Sequence, residues 1–317
     1  MHTDDIFDDK QDLSDRGKTW QRREFVTTIA KAIGAAPLLS VPGFSMAIDN
    51  THRRSSLTVQ EVIDLILSSI PGAPFPKTVD TIKSGNPSQQ VTGIVTTMFA
   101  TNKVIEQTIS TGANFIIAHE PTFYNHLDDV VWLASDEVYQ NKKKLLEKNK
   151  IVVWRFHDGI HAHKPDGVLM GVLNALGWQQ YYNADKPHII ILPTTTLGDV
   201  INHLKDKLGI QHLKVIGDLS QKCSRIALLP GAAGGMSQIG VLQKEKPDLL
   251  ICGEINEWET AEYVRDMRHM GSQTSLIVTG HSVSEEPGLE WLVNWLQPQI
   301  PGIKITHISS YDPFEWP

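Results

Sequence analysis

Three apolar stretches of this chain run straight into side chains that bind metal ions. Ile117-Ala118-His119-Glu120, Trp154-Arg155-Phe156-His157-Asp158 and Val278-Thr279-Gly280-His281 each deliver an imidazole, and Leu250-Ile251-Cys252-Gly253-Glu254 delivers a carboxylate in the same way. One histidine after one strand is ordinarily a loop or capping residue. Several at corresponding positions imply a shared site, because ligands of open α/β sheets bind where the carboxyl ends of parallel strands diverge. His281 and Glu285 stand four apart, on one face if the segment is helical, where they could hold one ion or bridge two. The run His157-Asp158-Gly159-Ile160-His161-Ala162-His163 is dense in donors; its alternative is a solvated loop, and Lys164-Pro165-Asp166 places at least His163 in water. The helical zinc-protease pattern does not apply, since Phe123 occupies the position of its second histidine and Pro121 forbids a helix there.

Other chemistry is less supported. Gly231-Ala232-Ala233-Gly234-Gly235 lies between a strand and a helix and could cradle an anion, but it fits no nucleotide fingerprint and reads better as a tight turn. No Ser or Cys sits in a nucleophile elbow. The two cysteines, Cys223 and Cys252, cannot build a thiolate cage, and Cys252 reads as a small packed hydrophobe. If their strands are parallel neighbours, the two lie at opposite ends of a sheet and do not pair. Any metal therefore rests on nitrogen and oxygen donors, which suit Zn, Mn, Fe or Mg.

The 317 residues allow roughly two domains at about 150 residues each. Hydrophobic residues at 41% and charged residues at 21% exclude disordered, collagen-like and coiled-coil classes. Twenty-nine Lys and Arg against 36 Asp and Glu give a net charge of −7, which provides no electrostatic basis for nucleic-acid binding. The implied partner is a small molecule of unknown identity.

The elements that must position these residues form an α/β pattern. Thr58-Val59-Gln60-Glu61 opens a helix with a capping box, and residues 71–87 are a proline-rich loop with at most one short extended piece. Val91 to Thr97, Asn102 to Ser110 and Phe115 to Ala118 read as strand, helix and strand, hence a parallel pair. Lys142 to Lys150 is helical, Ile151 to Phe156 a buried strand, and Gly167 to Gly177 a helix ending at glycine. The second half repeats the pattern: strand Arg225 to Leu229, helix Met236 to Lys244, strand Asp248 to Cys252. A shift of 134 residues lays Asn114–Glu120 on Asp248–Glu254. A last strand covers Leu276 to Thr279 and a last helix Pro287 to Leu296. The repeat suggests two α/β domains of similar topology.

Residues 1–47 read as a targeting segment. Paired Arg22 and Arg23 with Phe25, a mild apolar stretch carrying Lys31, and Ser45-Met46-Ala47 as a cleavage candidate resemble a twin-arginine export signal. Pro37 and Pro42 interrupt the apolar stretch, so it does not span a membrane. The expected location is exported or periplasmic with no membrane attachment of the mature chain; the alternative is an amphipathic helix on a cytoplasmic protein.

Taken in order, His119-Glu120-Pro121-Thr122-Phe123-Tyr124, His157 to His161, Gly217-Asp218-Leu219, Gly253-Glu254-Ile255, Gly280-His281-Ser282-Val283-Ser284-Glu285 and Asp312-Pro313-Phe314 resemble the Nif-three-like dinuclear-metal proteins, also labelled type 2 GTP cyclohydrolase I. The resemblance covers about residues 58 to 317. It implies two intertwined α/β domains, each with a mixed, largely parallel sheet flanked by helices (residues 56–180 with 275–317, carrying most metal ligands, and residues 185–274), hexameric rings, and two divalent ions per chain held by a His-His pair, an Asp and a His-x-x-x-Glu. His119 and His281 match directly, and Glu285 corresponds to the bridging carboxylate. Glu120 stands in place of the usual second His, and His161 in place of the usual Asp, so an imidazole and a carboxylate have traded positions; engagement through Asp158 instead stays open. The expected metal set is thus His119, Glu120, His161, His281 and Glu285, with His157 or Glu254 as proton-transfer group. The expected function is that of a metal-dependent hydrolase, in which paired ions acidify water and polarise a substrate oxygen. The alternative is a metal-binding or ring-forming scaffold without catalysis.

Overall fold

The computed structural model describes residues 56–315. The expectations for residues 1–47 lie outside this range, and no helix of the described residues is long and apolar enough to cross a membrane.

Among the described residues ten strands follow one another: β1 (Ile82–Ser84), β2 (Ile94–Thr97), β3 (Phe115–Ala118), β4 (Val152–Arg155), β5 (Ile189–Thr196), β6 (Lys214–Ile216), β7 (Lys222–Leu229), β8 (Leu249–Cys252), β9 (Ser275–Val278) and β10 (Ile305–His307). They form two five-stranded sheets, ordered β1-β4-β3-β2-β10 and β5-β7-β8-β9-β6. Both are parallel inside and antiparallel at an edge, as β1 against β4, β5 against β7 and β6 against β9. The fold is α/β with two mixed sheets, as the pattern of elements requires. Strand β9 is an interior strand of the second sheet, although the sequence reading groups residues 275–278 with the first. The chain returns to the first sheet through the last helix and β10.

Helices flank the sheets: α1 (Val59–Leu67), α2 (Asn102–Ser110), α3 (Glu137–Lys148), α4 (Asp158–Ala162), α5 (Gly167–Leu176), α6 (Leu197–Leu208), α7 (Gly235–Glu245), α8 (Glu262–His269) and α9 (His281–Leu296). Helix α1 opens on the expected capping box, with Thr58 and Glu61 each satisfying the other's backbone N–H. The period of two along each strand divides the interior into layers. Phe115, Ile117 and Trp154 of the first sheet share one apolar cluster with Ile226, Leu228, Ile251 and Ile277 of the second, with Leu173 of α5 and Leu289 of α9 among them. Ile116 and Val153 turn the other way, onto α2 and α3. Leu250 and Leu276 pack outward with Leu242 of α7 and Val264 of α8.

Two features place the site. The parallel registers align Thr97, Ala118 and Arg155 in one sheet and Leu229, Cys252 and Val278 in the other, so the loops bearing donors leave each sheet at one level. Helices α5 and α9 cross at glycines: a Cβ on Gly171 would lie 2.3 Å from the Pro287 carbonyl oxygen, and one on Gly288 would lie 2.7 Å from the Val168 Cα. That close approach carries the start of α9, hence His281 and Glu285, to the segment holding His161 and Asp166. Cys223 and Cys252 are unpaired and buried.

Candidate metal centre

His119 leaves β3 with no exposure to solvent, and its Nδ1 lies 3.2 Å from the Phe156 carbonyl oxygen. A carbonyl only accepts, so Nδ1 carries the proton and Nε2 of the neutral ring bears a lone pair. Nε2 is buried without a hydrogen-bond partner. It faces Glu285 Oε2 at 3.5 Å and Glu120 Oε1 at 3.9 Å.

The other imidazoles repeat this arrangement. His157 is held at Nδ1 by Asp158 Oδ1 at 2.9 Å and points Nε2 toward Glu120 Oε1 at 3.8 Å. His161 is held by Asp166 Oδ2 at 2.9 Å and points Nε2 toward Glu285 Oε1 at 3.9 Å. His281 is held by Glu254 Oε2 at 3.0 Å and points Nε2 at Glu285 Oε2 and Glu120 Oε1, at 3.1 and 3.3 Å. The ring centroids of His119, His157 and His161 are 4.8 to 5.2 Å apart. Four imidazoles thus surround two buried carboxylates.

Local structure explains the aim of each group. Asp80 takes the backbone N–H groups of His157, Asp158 and Gly159 at 2.7 to 2.9 Å, pinning the start of the short α4. Asp158 Oδ2 is taken by Thr78 Oγ1 and the Val79 N–H, which leaves that carboxylate to orient His157. Arg155, fully buried at the end of β4, donates Nε to the His119 carbonyl at 3.1 Å and Nη2 to Glu120 Oε2 at 3.3 Å. It also donates to the His126 carbonyl, fixing the loop after Glu120.

The protonation pattern follows from crowding and opposite charge. Burial pushes the Glu120 carboxyl up, but the His281 hydrogen bond and the neighbouring His119, His281 and His157 outweigh it and hold the group at about 2. Glu285 is likewise buried, and His119 and His281 drive it well below the ordinary carboxylate range. Burial disfavours charge on His281, yet the Glu120 and Glu285 carboxylates raise it to about 10. His157 is lowered, chiefly by burial and by His119. His161 is raised, because Asp166 and the two glutamates overcome burial. Both central carboxylates are therefore ionised, with His281 facing both and the Arg155 guanidinium on Glu120.

The donor set fits divalent ions. His119 with His157 and His161, and His119 with Glu120 and Glu285, form two groups able to hold a metal. His119 Nε2, buried without a hydrogen-bond partner, faces two ionised carboxylates, an arrangement that a cation between them satisfies. Metal–ligand bonds of about 2.1 Å at tetrahedral angles set ligand atoms about 3.4 Å apart, within the 3.1 to 3.9 Å spacings seen here. Holding the other ring nitrogen by a carboxylate or carbonyl is how metal-ligating histidines are oriented.

The structure brings all five sequence-assigned ligands together, with the traded pair Glu120 and His161 both beside His119. The two proton-transfer candidates occupy different places in it. His157 lies inside the donor cluster, and Glu254 stands at its rim, 57% exposed at the side chain, where it steers His281. Sequence reasoning missed Asp80, Arg155 and the role of Asp166. Only Asp166, directly before the helical residue Gly167, carried a signal, and that signal was for a helix cap. The cluster opens into a cavity of about 1170 Å³ that Phe99, Tyr124, Lys142 and Tyr311 also line.

Comparison with known proteins agrees with this architecture. The model of the family described as Duf34/NIF3 (NGG1p interacting factor 3) matches residues 59–313. A Clostridium perfringens protein named GTP cyclohydrolase 1 type 2 homolog is 26% identical over 215 residues, which are 65% of this chain and 78% of that protein. The crystal structure of a Bacillus cereus protein related to NIF3 covers 82% of this chain and 99% of its own at TM-score 0.67 and 17% identity. That of Staphylococcus aureus protein SA1388 has the same coverage at TM-score 0.65 and 19% identity. At such identities the structures share the fold.

Proposed function

This chain belongs to the Duf34/NIF3 (NGG1p interacting factor 3) family, and on that premise we propose that its histidine and glutamate cluster holds a pair of divalent ions and serves the hydrolysis of a small molecule. One observation carries the reading: four imidazoles, each tied at Nδ1, aim Nε2 at the same two buried carboxylates. Arg155 and His281 already pair with these carboxylates, yet His119 Nε2 is buried facing both without a hydrogen-bond partner, which suits a ligand better than a structural histidine. The name carried by the Clostridium relatives, a cyclohydrolase homolog, is that of a hydrolytic enzyme.

His119, Glu120, His281 and Glu285 would hold one ion and His157 with His161 the other, with His119 and Glu285 lying between the two sets. When bound, such ions supply Lewis-acid charge to a substrate oxygen and make water more acidic. The chain's own part is orientation and proton handling. Asp158, Asp166 and Glu254 keep three rings in the tautomer that presents Nε2, and Arg155 holds Glu120. Glu254, the most exposed carboxylate of the set, can pass a proton at Oε2 between His281 Nδ1 and solvent.

Metal analysis of the purified full chain tests this. About two ions per chain, lost in the double variant His119→Ala, His281→Ala, are expected. A metal-free preparation that resists reconstitution with Zn, Mn, Fe and Mg overturns the proposal. Hydrolysis of phosphoester, amide or nucleotide panels by the loaded protein, abolished in the same variant, separates an enzyme from a metal-holding scaffold.

A further inference from the structure

A second cavity of about 580 Å³ adjoins the metal-competent one. Phe99, Glu254, His281 and Pro313 line both, so the two spaces meet at the His281 imidazole. The Phe99 ring stands edge-on to that imidazole with centroids 6.1 Å apart. Beyond it the wall is apolar, formed by Leu213, Ile255, Val283 and Phe314. A volume of this size is within the range of small-molecule sites.

The segment after β10 closes the cavity and is itself held in place. Glu286 Oε2 accepts from Ser309 Oγ at 3.0 Å, its Oε1 accepts from the Ser310 N–H at 3.2 Å, and Asp312 Oδ1 accepts from the Phe314 N–H at 3.0 Å. Phe314 nevertheless remains 75% exposed on the rim. With the segment tied at Ser309 and Ser310 and turned at Asp312, the Phe314 ring lines an apolar hollow while still exposed, a surface able to take an apolar occupant.

Charge narrows the occupant. The lysine lining this cavity, Lys214, is engaged by Glu257 at 2.6 Å, and the acidic groups Glu254, Asp312 and Glu315 share its rim. In the larger cavity Lys142 is buried and donates to the Thr122 carbonyl at 2.8 Å. Among the described residues lining either space no arginine occurs. In the second cavity a polyphosphate or carboxylate tail therefore meets three carboxylates and no free lysine or arginine.

We propose that the second cavity is a binding site for an uncharged apolar group, aryl or short alkyl, carried by a molecule whose polar end reaches the histidine cluster. Its role as a substrate subsite rests on the hydrolase reading above, whereas its ligand preference does not.

The test uses N-phenyl-1-naphthylamine, an uncharged dye that fluoresces in apolar surroundings, titrated into the full chain with and without zinc. Saturable binding of one dye per chain is expected, weakened about tenfold in Phe314→Asp and in Phe99→Ala, as loss of one buried phenyl contact implies. Phe314 is exposed, so unfolding temperatures of wild type and Phe314→Asp should agree and exclude a folding defect. GTP at equal concentration should not displace the dye. Non-saturable fluorescence, unchanged affinity in both variants, or displacement by GTP overturns the proposal. Dye binding as expected in a zinc-loaded protein that hydrolyses no 2-naphthyl ester or other substrate supports the binding site while removing the hydrolase reading.

Discussion

Asp166 does two tasks with two oxygens. Oδ1 caps α5 by accepting the Leu169 N–H at 3.0 Å, and Oδ2 holds His161 Nδ1 at 2.9 Å. Asp166→Asn keeps an acceptor for the cap but offers His161 an amide that cannot accept. The expected result is an unfolding temperature close to wild type with metal affinity lowered about 10- to 100-fold, read by competition with a chelator. Equal losses in both would show that the cap, not the imidazole, is what matters. Lys142 makes a separate prediction about pH. Burial lowers its ammonium to about 8 from the ordinary 10.5, with Asp128 opposing the fall. Between these values the unfolded chain binds the proton and the folded one does not, so stability should rise with pH across that window, by on the order of 3 kcal/mol. Lys142→Met should lack this rise in denaturant titrations from pH 7 to 10.5, and an identical pH dependence in the two proteins would refute the assignment. At this scale the ligands were legible because His119, His157 and His281 follow apolar strands. Asp158 and Glu254 were singled out beside them, but Asp80 was not, since it reaches Asp158 only through a contact 78 residues long in sequence.

Helices α5 and α9 meet at Gly171 and Gly288, where any side chain would enter the opposing backbone. Gly171→Val should therefore destabilise the fold by about 1 to 3 kcal/mol or more, as overpacking does. It should also lower metal content, because α9 bears His281 and Glu285 while α5 follows His161 and Asp166. Metal content that stays full in a folded but destabilised variant would mean the helix crossing does not position the site. The sequence predicts α9 only from Pro287, whereas the helix begins at His281. A proline six residues into a helix masks its first turns from a pattern reading. That error hid the exact face shared by His281 and Glu285, although their four-residue spacing anticipated it. The repeat read from the 134-residue shift holds for α2 with α7 and for β3 with β8, which carry the same hydrophobic periodicity. Strand β5 went unassigned because Pro193 and a run of threonines interrupt any apolar alternation, whereas helix α6, with Leu197, Val200, Ile201 and Leu204 at helical spacing behind a Thr196 cap, was legible and went unread.

Periodicity within single elements says which face is buried but not against which other element, so the sharing of one core by both sheets could not be read from the chain. The same limit applies to surfaces between chains, yet here exposure gives a handle. Leu127, Val131, Trp132 and Val138 are 71, 80, 65 and 56% exposed within a stretch of twelve residues. Large apolar side chains so concentrated are a common mark of a protein interface, and the resemblance noted in the sequence implies a ring of six chains. If this stretch lies in that contact, wild type should sediment as a hexamer and the double variant Val131→Lys, Trp132→Lys as a smaller species. Metal content should stay unchanged, since every donor of the cluster comes from one chain. A monomeric wild type would remove the ring, and a hexameric double variant would place the contact elsewhere on the molecule.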